Sequence, residues 1–454
     1  MAGWRGNLAK LIPERGWRTI VRLASRPPAE NKSVECLRAN QIAEFSGHRW
    51  GIELTAEGSI GVVYQTPEDS IALRKRLARS GMRVFQLDAT THSANILRGW
   101  VCADRSVSRN RRDLAEAVGI RIFETIDGLA PSRQNILDFS ASVDLVYTWV
   151  DGSDERWLHA KLKAAVNSHS AALPTATDDA RFVSNDELKY SLRSVESFLP
   201  WVNHIYIVTA GHKPEWLNEN HPLITVVPHE EIFGNGSNLP TFNSHAIESQ
   251  LHHIPGLSEH FVYVNDDVLF GRSIRPELFF TASGMARFQL SERHYENDAV
   301  NGLPVNVAAW NNTKILKNRF GVNSTLKFKH VAHAQRRSVL EAIENENPDE
   351  FSATAASRFR SADDISIPSS LAHYYGSALG KAVPGTASYK YIDVGSRTAQ
   401  MELAKLLWAE RPQMMCLNQV SGQSQDLEIQ SRMLKQFLER AYPWPSSMEL
   451  NENV

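Results

Sequence analysis

Cysteine is scarce in this chain: three in 454 residues, Cys36, Cys102 and Cys416, widely spaced and without a Cys-x-x-Cys pair. That scarcity excludes a disulfide-built scaffold and a thiolate zinc site, and it fits a reducing compartment. Long apolar runs are missing too. The longest, such as IYIV (205–208) and FVYV (261–264), are strand-sized and far below the roughly 18–20 residues that cross a bilayer. Neither sign of charge is in excess: 49 Lys plus Arg against 51 Asp plus Glu give a net charge of −2, so no whole-molecule field draws nucleic acid. Any anionic partner must be held by a local site. FGNGSN (233–238) is neither a phosphate-binding P-loop nor a Gly-x-Gly-x-x-Gly turn, and the Gly-x-Ser-x-Gly and His-Glu-x-x-His signatures are also lacking.

What is there reads as an ordinary globular chain, 42% hydrophobic and 22% charged, with enough length for two domains or one enlarged α/β domain. Residues 1–30 form a basic segment. Trp17, Ile20, Val21 and Ala24 follow helical spacing opposite Arg15, Arg18, Arg22 and Arg26, and Pro27-Pro28 ends the run. The first reading is a terminal helix docked on its own domain; the second is a peripheral contact with the inner face of a membrane. Arginines and a lysine interrupt the segment throughout, so a cleaved export signal is not expected and a cytoplasmic location is.

Residues 31–135 read as a smaller accessory α/β domain, with strands in GSIGVVY (58–64), RVFQLD (83–88) and IRIFETID (120–127) and a helix over 69–79. A linker follows, containing Pro131. From 136 to about 425 strands and helices alternate: VDLVYTWV (143–150), a helix over 157–166, a helix carrying Leu188, Leu192, Val195 and Leu199, then HIYIVTAG, LITVVP, a helix over 244–253 and HFVYVND. Ser184, Asn185 or Asp186 is expected to cap the Leu188 helix. This alternation predicts a mostly parallel, doubly wound core. After residue 310 the balance shifts to helix, over 336–345 and 369–379, with strands at 389–394 and 413–418. A final helix and a polar, frayed tail fill 426–454.

Ligands of parallel α/β sheets bind beyond the carboxyl ends of the strands. Two strands here run into acidic clusters: Asp151-Gly152-Ser153-Asp154 and Asn265-Asp266-Asp267. The first also suits a plain turn and helix cap. The second is harder to explain structurally, because adjacent carboxylates repel unless a cation or arginine relieves them. Together they suit a hard divalent cation bridging carboxylates to a diphosphate. His330 and His333, three apart, would share a face on a helical turn and offer a base or metal ligand. Arg336, Arg337, Arg358 and Arg360 are candidate phosphate holders, and spacing does not choose among them.

These residues lie in longer motifs. DLVYTWVDGSD (144–154), the stretches 181–217 and 241–271 with Asn-Asp-Asp inside, KFKHVAHAQRRSVLEAI (327–343) and QMMCLNQ (413–419) together resemble the Stealth proteins, sugar-phosphate transferases of microbial surface polysaccharides. The likeness covers about residues 143–420. It departs at Gln419, where the family has an acid after Asn, and at Ala332, where it has proline between the histidines. The resemblance implies transfer of a hexose-1-phosphate from a nucleotide-diphosphate sugar to a glycan hydroxyl, with Mg²⁺ or Mn²⁺ as cofactor. It implies metal work for Asn265, Asp266 and Asp267 and catalysis by Asp267, His330 or His333, and Arg358 or Arg360. It further implies donor binding by Asp144, Trp149, Asp151, Gly152, Asp154, Asn185 and Asn243. Two alternatives stand beside this reading: a metal-dependent glycosyltransferase, and an inactive relative serving as a binding subunit. Hexose, acceptor and oligomeric state are not encoded in motifs.

Overall fold

The computed structural model describes residues 139–450, apart from 168–184, 200, 235, 273, 296–303, 409–410, 419–423 and 444, and two short strands upstream. Those two, β1 (Val62–Tyr64) and β2 (Ile122–Glu124), pair in parallel within the first and third strands expected in 31–135. Residues 1–30, the 69–79 helix and the 83–88 strand lie outside the described residues, as does Gln419.

The main unit is built on a five-stranded sheet. Its parallel members are β3 (Val143–Thr148), β4 (His204–Thr209), β5 (Ile224–Pro228) and β6 (His260–Asn265). Apolar side chains fill both faces of β3, β4 and β6, as a sheet covered on two sides requires. Past β6 the chain forms β7 (Val268–Phe270), β8 (Ala286–Phe288), β9 (Leu290–His294), β10 (Leu326–Phe328), β11 (His333–Arg336) and β12 (Ala382–Pro384), and the main sheet runs in the order β11-β6-β3-β4-β5, with β11 antiparallel to β6. The chain therefore winds outward from β3 through β4 to β5, then crosses back to place β6 on the other side of β3. At this reversal the loops after β3 and β6 part in opposite directions and leave a crevice. Register sets Thr148 beside Asn265, so both acidic clusters leave the sheet at that one place.

Helix Glu187–Phe198 covers one face of the sheet through Leu188, Leu192, Val195 and Phe198, each at most 2% exposed. Its start differs from expectation. Asp186 occupies the cap position in a left-handed conformation (φ 63°) and its side chain caps nothing; Asn185 turns instead to the Glu187 carboxylate. The other face carries helix Ser244–Ser249 and helix Arg337–Glu346, the latter close to the expected 336–345.

Directly after Asp267 the chain leaves the main sheet as β7 (Val268–Phe270). It pairs antiparallel with β14 (Met414–Asn418), which pairs in parallel with β13 (Tyr389–Asp393). The approach is close: at Gly271 a Cβ would collide with the Pro412 carbonyl oxygen. The tail is not frayed up to residue 450. Helix Ser424–Ala441 puts Leu434, Phe437 and Leu438 into the main core, and Glu449 accepts from Arg193 Nε and Nη2, both at 2.7 Å. Among the described residues no helix is long and apolar enough to cross a membrane.

Candidate active site

The mouth of β6 gathers three carboxylates. Asp266 and Asp267 follow the strand, and Glu187 enters from the helix across the sheet, held by the Asn185 backbone N–H (2.6 Å) and amide nitrogen (2.8 Å). Burial, then Asp267, then Glu187 push the Asp266 carboxyl well above the usual range. Burial also raises Glu187, against the Asn185 hydrogen bonds, and Asp267 adds to the rise. Asp267 Oδ1 is buried with no hydrogen-bond partner. A site with three crowded carboxylates and an orphaned oxygen is short of positive charge.

On the other side stands His330. Its Nδ1 lies 2.9 Å from Cys416 Sγ, and its Nε2 lies 3.3 Å from the Asn265 amide nitrogen. That nitrogen can only donate, so Nε2 carries the lone pair and Nδ1 the hydrogen. The Cys416 thiol points on to Asp267 Oδ2 at 3.3 Å. Burial, with Asp267 next, keeps the thiol pKa well above its ordinary value, so sulfur stays protonated as a relay between imidazole and carboxylate. One atom from each of Asp267, His330 and Cys416 lies within 4.8 Å of the other two.

His333 does not join His330. The pair sits on no helix: His330 lies in a bend and His333 begins β11, where its ring is buried and its Nδ1 is 2.9 Å from His373 Nε2. Alternation along a strand and its approach sends the two rings to different surroundings. Burial, with His373 and His330 next, depresses the His333 pKa well below the usual value, and burial takes His373 down to about 3.

The remaining predicted residues divide. Asp144 is fully buried near the amino end of β3, opposite the mouth, where its oxygens accept from Asn203 Nδ2 and the Ser258 N–H, each at 2.8 Å. A carboxylate thus committed holds loops, at the end of the strand away from the acidic clusters. Trp149, Asp151, Gly152 and Asp154 do follow β3 at the mouth. Asp151 Oδ1 accepts from Ser153 N–H (2.8 Å) and hydroxyl (2.6 Å), and Asp154 Oδ1 accepts from the Trp157 N–H at 2.7 Å, so this cluster builds the turn and cap of helix Glu155–Asn167. Burial alone would raise the Asp151 carboxyl; the Ser153 hydrogen bonds and His212 outweigh it and hold it low. Trp149 packs edge-on against the His212 ring, 5.4 Å between centroids.

Asn243 caps helix Ser244–Ser249, accepting from His245 N–H at 3.1 Å, and donates to Asp364 Oδ2 at 2.9 Å. Beside it Arg360 donates to Ser244 Oγ at 2.9 Å, with Glu248 and Asp364 countering the burial that lowers its pKa. Thr148 and Glu248 both bond the Tyr263 hydroxyl, at 3.0 and 3.1 Å, so this network reaches the end of β3. Arg358 is exposed. Arg336 is paired with Glu259 at 2.9 Å and Arg337 with Glu341 at 3.5 Å, away from the mouth. Sequence reasoning missed Glu187, Cys416 and Glu248: an acid in a first helical turn reads as dipole compensation, and a cysteine in an apolar strand reads as core.

Carboxylates and an imidazole gathered at the switch point of a parallel sheet define the class: an α/β protein with an acidic crevice where such sheets bind ligands. Comparison with known proteins makes the family specific. The four conserved regions of the Stealth proteins match in order: region 1 at 142–168, region 2 at 181–288, region 3 at 329–377 and region 4 at 405–454. An exopolysaccharide phosphotransferase of Streptomyces coelicolor is 46% identical over 68% of this chain and 51% of its own length. The exopolysaccharide phosphotransferase CpsY of Mycobacterium tuberculosis is 38% identical over 83% of this chain and 72% of its own. This chain belongs to the Stealth family. It spans about half the length of two Streptomyces coelicolor relatives to which it is 44–46% identical. Among solved structures, the galactosyltransferase LgtC, determined with donor and acceptor sugar analogues, aligns with 68% of this chain and 98% of its own at 11% identity and a TM-score of 0.34.

Proposed function

We propose that the chain moves a hexose-1-phosphate from a nucleotide-diphosphate sugar to a glycan hydroxyl, forming a phosphodiester and releasing a nucleoside monophosphate. The observation that carries this reading is a lone-pair nitrogen, His330 Nε2, set beside carboxylates that lack positive charge. The names of the Streptomyces and Mycobacterium relatives support the same chemistry.

In this reading His330 Nε2 takes the proton of the acceptor hydroxyl as its oxygen attacks the phosphorus next to the sugar. The resulting imidazolium is steadied through Nδ1–H by the Cys416 sulfur and, beyond it, Asp267. Asn265 Nδ2 donates to Nε2 in the free chain and yields that lone pair to the acceptor hydroxyl. Asp266 and Asp267 suit Mg²⁺ or Mn²⁺, because their oxygens are hard ligands and the orphaned Asp267 Oδ1 is a ready donor, whereas the protonated thiol is not a ligand a hard cation seeks. Such an ion supplies charge neutralisation for the diphosphate. Glu187 shapes the field around it, and Arg358, exposed and not engaged as Arg360 is, is the arginine assigned to substrate phosphate.

The test is the bond that breaks. With a donor labelled in the phosphate nearest the sugar, the label is expected in the glycan, in a diester cleaved by phosphodiesterase, with nucleoside monophosphate released. Label recovered only in nucleoside diphosphate would replace this reading with the glycosyltransferase. Absence of turnover in folded protein with Mg²⁺ or Mn²⁺ across a panel of nucleotide sugars would replace it with the binding subunit.

A further inference from the structure

A second cluster of metal-ligating side chains lies outside the carboxylate pocket. The short 3₁₀ turn Leu251–His253, which leads into β6, places His252 and His253 side by side with ring centroids 4.1 Å apart. Glu344, on helix Arg337–Glu346, reaches them with a single oxygen: Oε2 is 2.6 Å from His252 Nε2 and 2.9 Å from His253 Nε2. Ligand atoms of all three residues fall within 4.8 Å of one another.

The hydrogens of this cluster do not balance with neutral rings. His253 Nδ1 is 3.1 Å from the Ile232 carbonyl oxygen, which only accepts, so Nδ1 carries the hydrogen. His253 Nε2 then presents a lone pair to a carboxylate oxygen. His252 Nδ1 is buried without a partner, so the whole polar contact of that ring also runs through Nε2. Two ring nitrogens and one carboxylate oxygen converge on a point where the lone pair of at least one ring needs a cation. A proton on His253 alone would balance the cluster as a histidinium–carboxylate pair, whereas protonating both stacked rings would set two like charges together. One divalent ion serves all three groups at once.

We propose that His252, His253 and Glu344 form a second metal site, taking a borderline-soft divalent ion of the Zn²⁺ class through two imidazole nitrogens and a carboxylate. Two nitrogens and one oxygen are the ligands such an ion prefers, and hard Mg²⁺ does not. At bond lengths of about 2.0–2.2 Å tetrahedral ligands stand roughly 3.3 Å apart, so the Glu344 carboxylate needs to withdraw by only about half an ångström. Glu344 and His253 are each about a third exposed, at 32% and 35%, which lets that side chain move and lets water complete the shell. His252, at 1%, is fixed against the Phe351 ring. The ion ties the turn before β6 to the helix after β11, bracing the two strands that carry Asp266 and follow His330.

Co²⁺ serves as the spectroscopic probe for the full chain, in a background with Asp266→Asn and Asp267→Asn so that the carboxylate pocket is disabled. One equivalent of Co²⁺ is expected to bind with a visible d–d band, and Zn²⁺ is expected to displace it. Adding His253→Gln, or separately the isosteric Glu344→Gln, should weaken binding by more than about 100-fold, since a ligand itself is lost. Both positions are partly exposed, and circular dichroism establishes that each variant folds. No uptake in the background, or uptake unchanged by either further substitution, overturns the site. A proton clamp in place of the metal is a third result: no uptake, and a melting temperature lowered by His253→Gln at about pH 6 but not at about pH 8. That also overturns it.

Discussion

A histidine can act only where its ring nitrogens are reachable, and the two histidines of KFKHVAHAQRR part on that ground. His330 Nε2 accepts from Asn265 beside the acidic cluster, while His333 is buried against His373. His330→Gln should lower kcat by ~10²–10⁴-fold with the donor KM little changed, the usual worth of a positioned base. His333→Gln should lower thermal stability while the folded fraction keeps kcat within a few-fold. Equal kcat losses in both would place the base elsewhere. The carboxylates make a prediction of opposite character. Asp266 has its pKa raised in the fold by burial, Asp267 and Glu187, against about 3.9 when unfolded. A group raised in the fold favours folding below its unfolded pKa, and that support is lost as pH rises. In chelator, Asp266→Asn should therefore melt above the parent, by a margin that widens from about pH 4.5 to 7.5 and narrows when Mg²⁺ is added, while turnover is abolished. A parent that melts at or above the variant throughout would show that the carboxylates are not crowded.

Elements decide which of these residues meet. Asp267 ends its turn at the start of β7, and because β7 pairs with β14, the Leu417 N–H bonds the Asp267 carbonyl at 3.0 Å and Cys416 faces the site. The C-terminal segment is joined to the core as firmly. Glu449 takes two hydrogen bonds from Arg193 and one from the Ser446 N–H at 2.7 Å, and the Arg193 and Glu449 side chains are only 11% and 6% exposed. Removing one member of a fully buried pair costs about 3–5 kcal/mol, and here Lys189, 3.6 Å from Glu449, and the Ser446 N–H remain to offset part of that. Arg193→Ala should lower unfolding free energy by about 2–4 kcal/mol in denaturant titration. A loss below about 1 kcal/mol would mean that solvent reaches the pair.

At the scale of the molecule, the apolar clusters under both faces of the main sheet draw only on residues from Phe139 onward among those described. A fragment beginning at Gln134 should thus unfold cooperatively and retain donor turnover. Complete loss of activity in a folded fragment would show that the first 133 residues contribute to the reaction. The strand order carries the same lesson at larger scale. Alternating strands and helices in 143–265 were enough to anticipate a parallel doubly wound core, but not that β6 returns to the far side of β3. Only that return brings Thr148 and Asn265 together and makes a crevice of two separate strand ends.

Local order was legible because it is written in periods of two and three to four residues. Leu188, Leu192, Val195 and Leu199 face one way on any helix, and YKYIDV and QMMCLN read as strands whatever they pair with. Asn265-Asp266-Asp267 declared itself because like charges adjacent in the chain are also adjacent in space. The partners of those charges obey no period. His330 and Cys416 are 86 residues apart, Cys416 and Asp267 are 149 apart, and Glu187 approaches from a helix on the face of the sheet. Asp144 erred in the opposite sense: a carboxylate in a family motif looked like pocket, yet strand direction put it at the wrong end of β3. The sequence alone determined most elements of the core, the acidic turn and the family. Tertiary structure decided which imidazole keeps its lone pair and which thiol meets the carboxylate, because hydrogen-bond partners and burial belong to the packed chain.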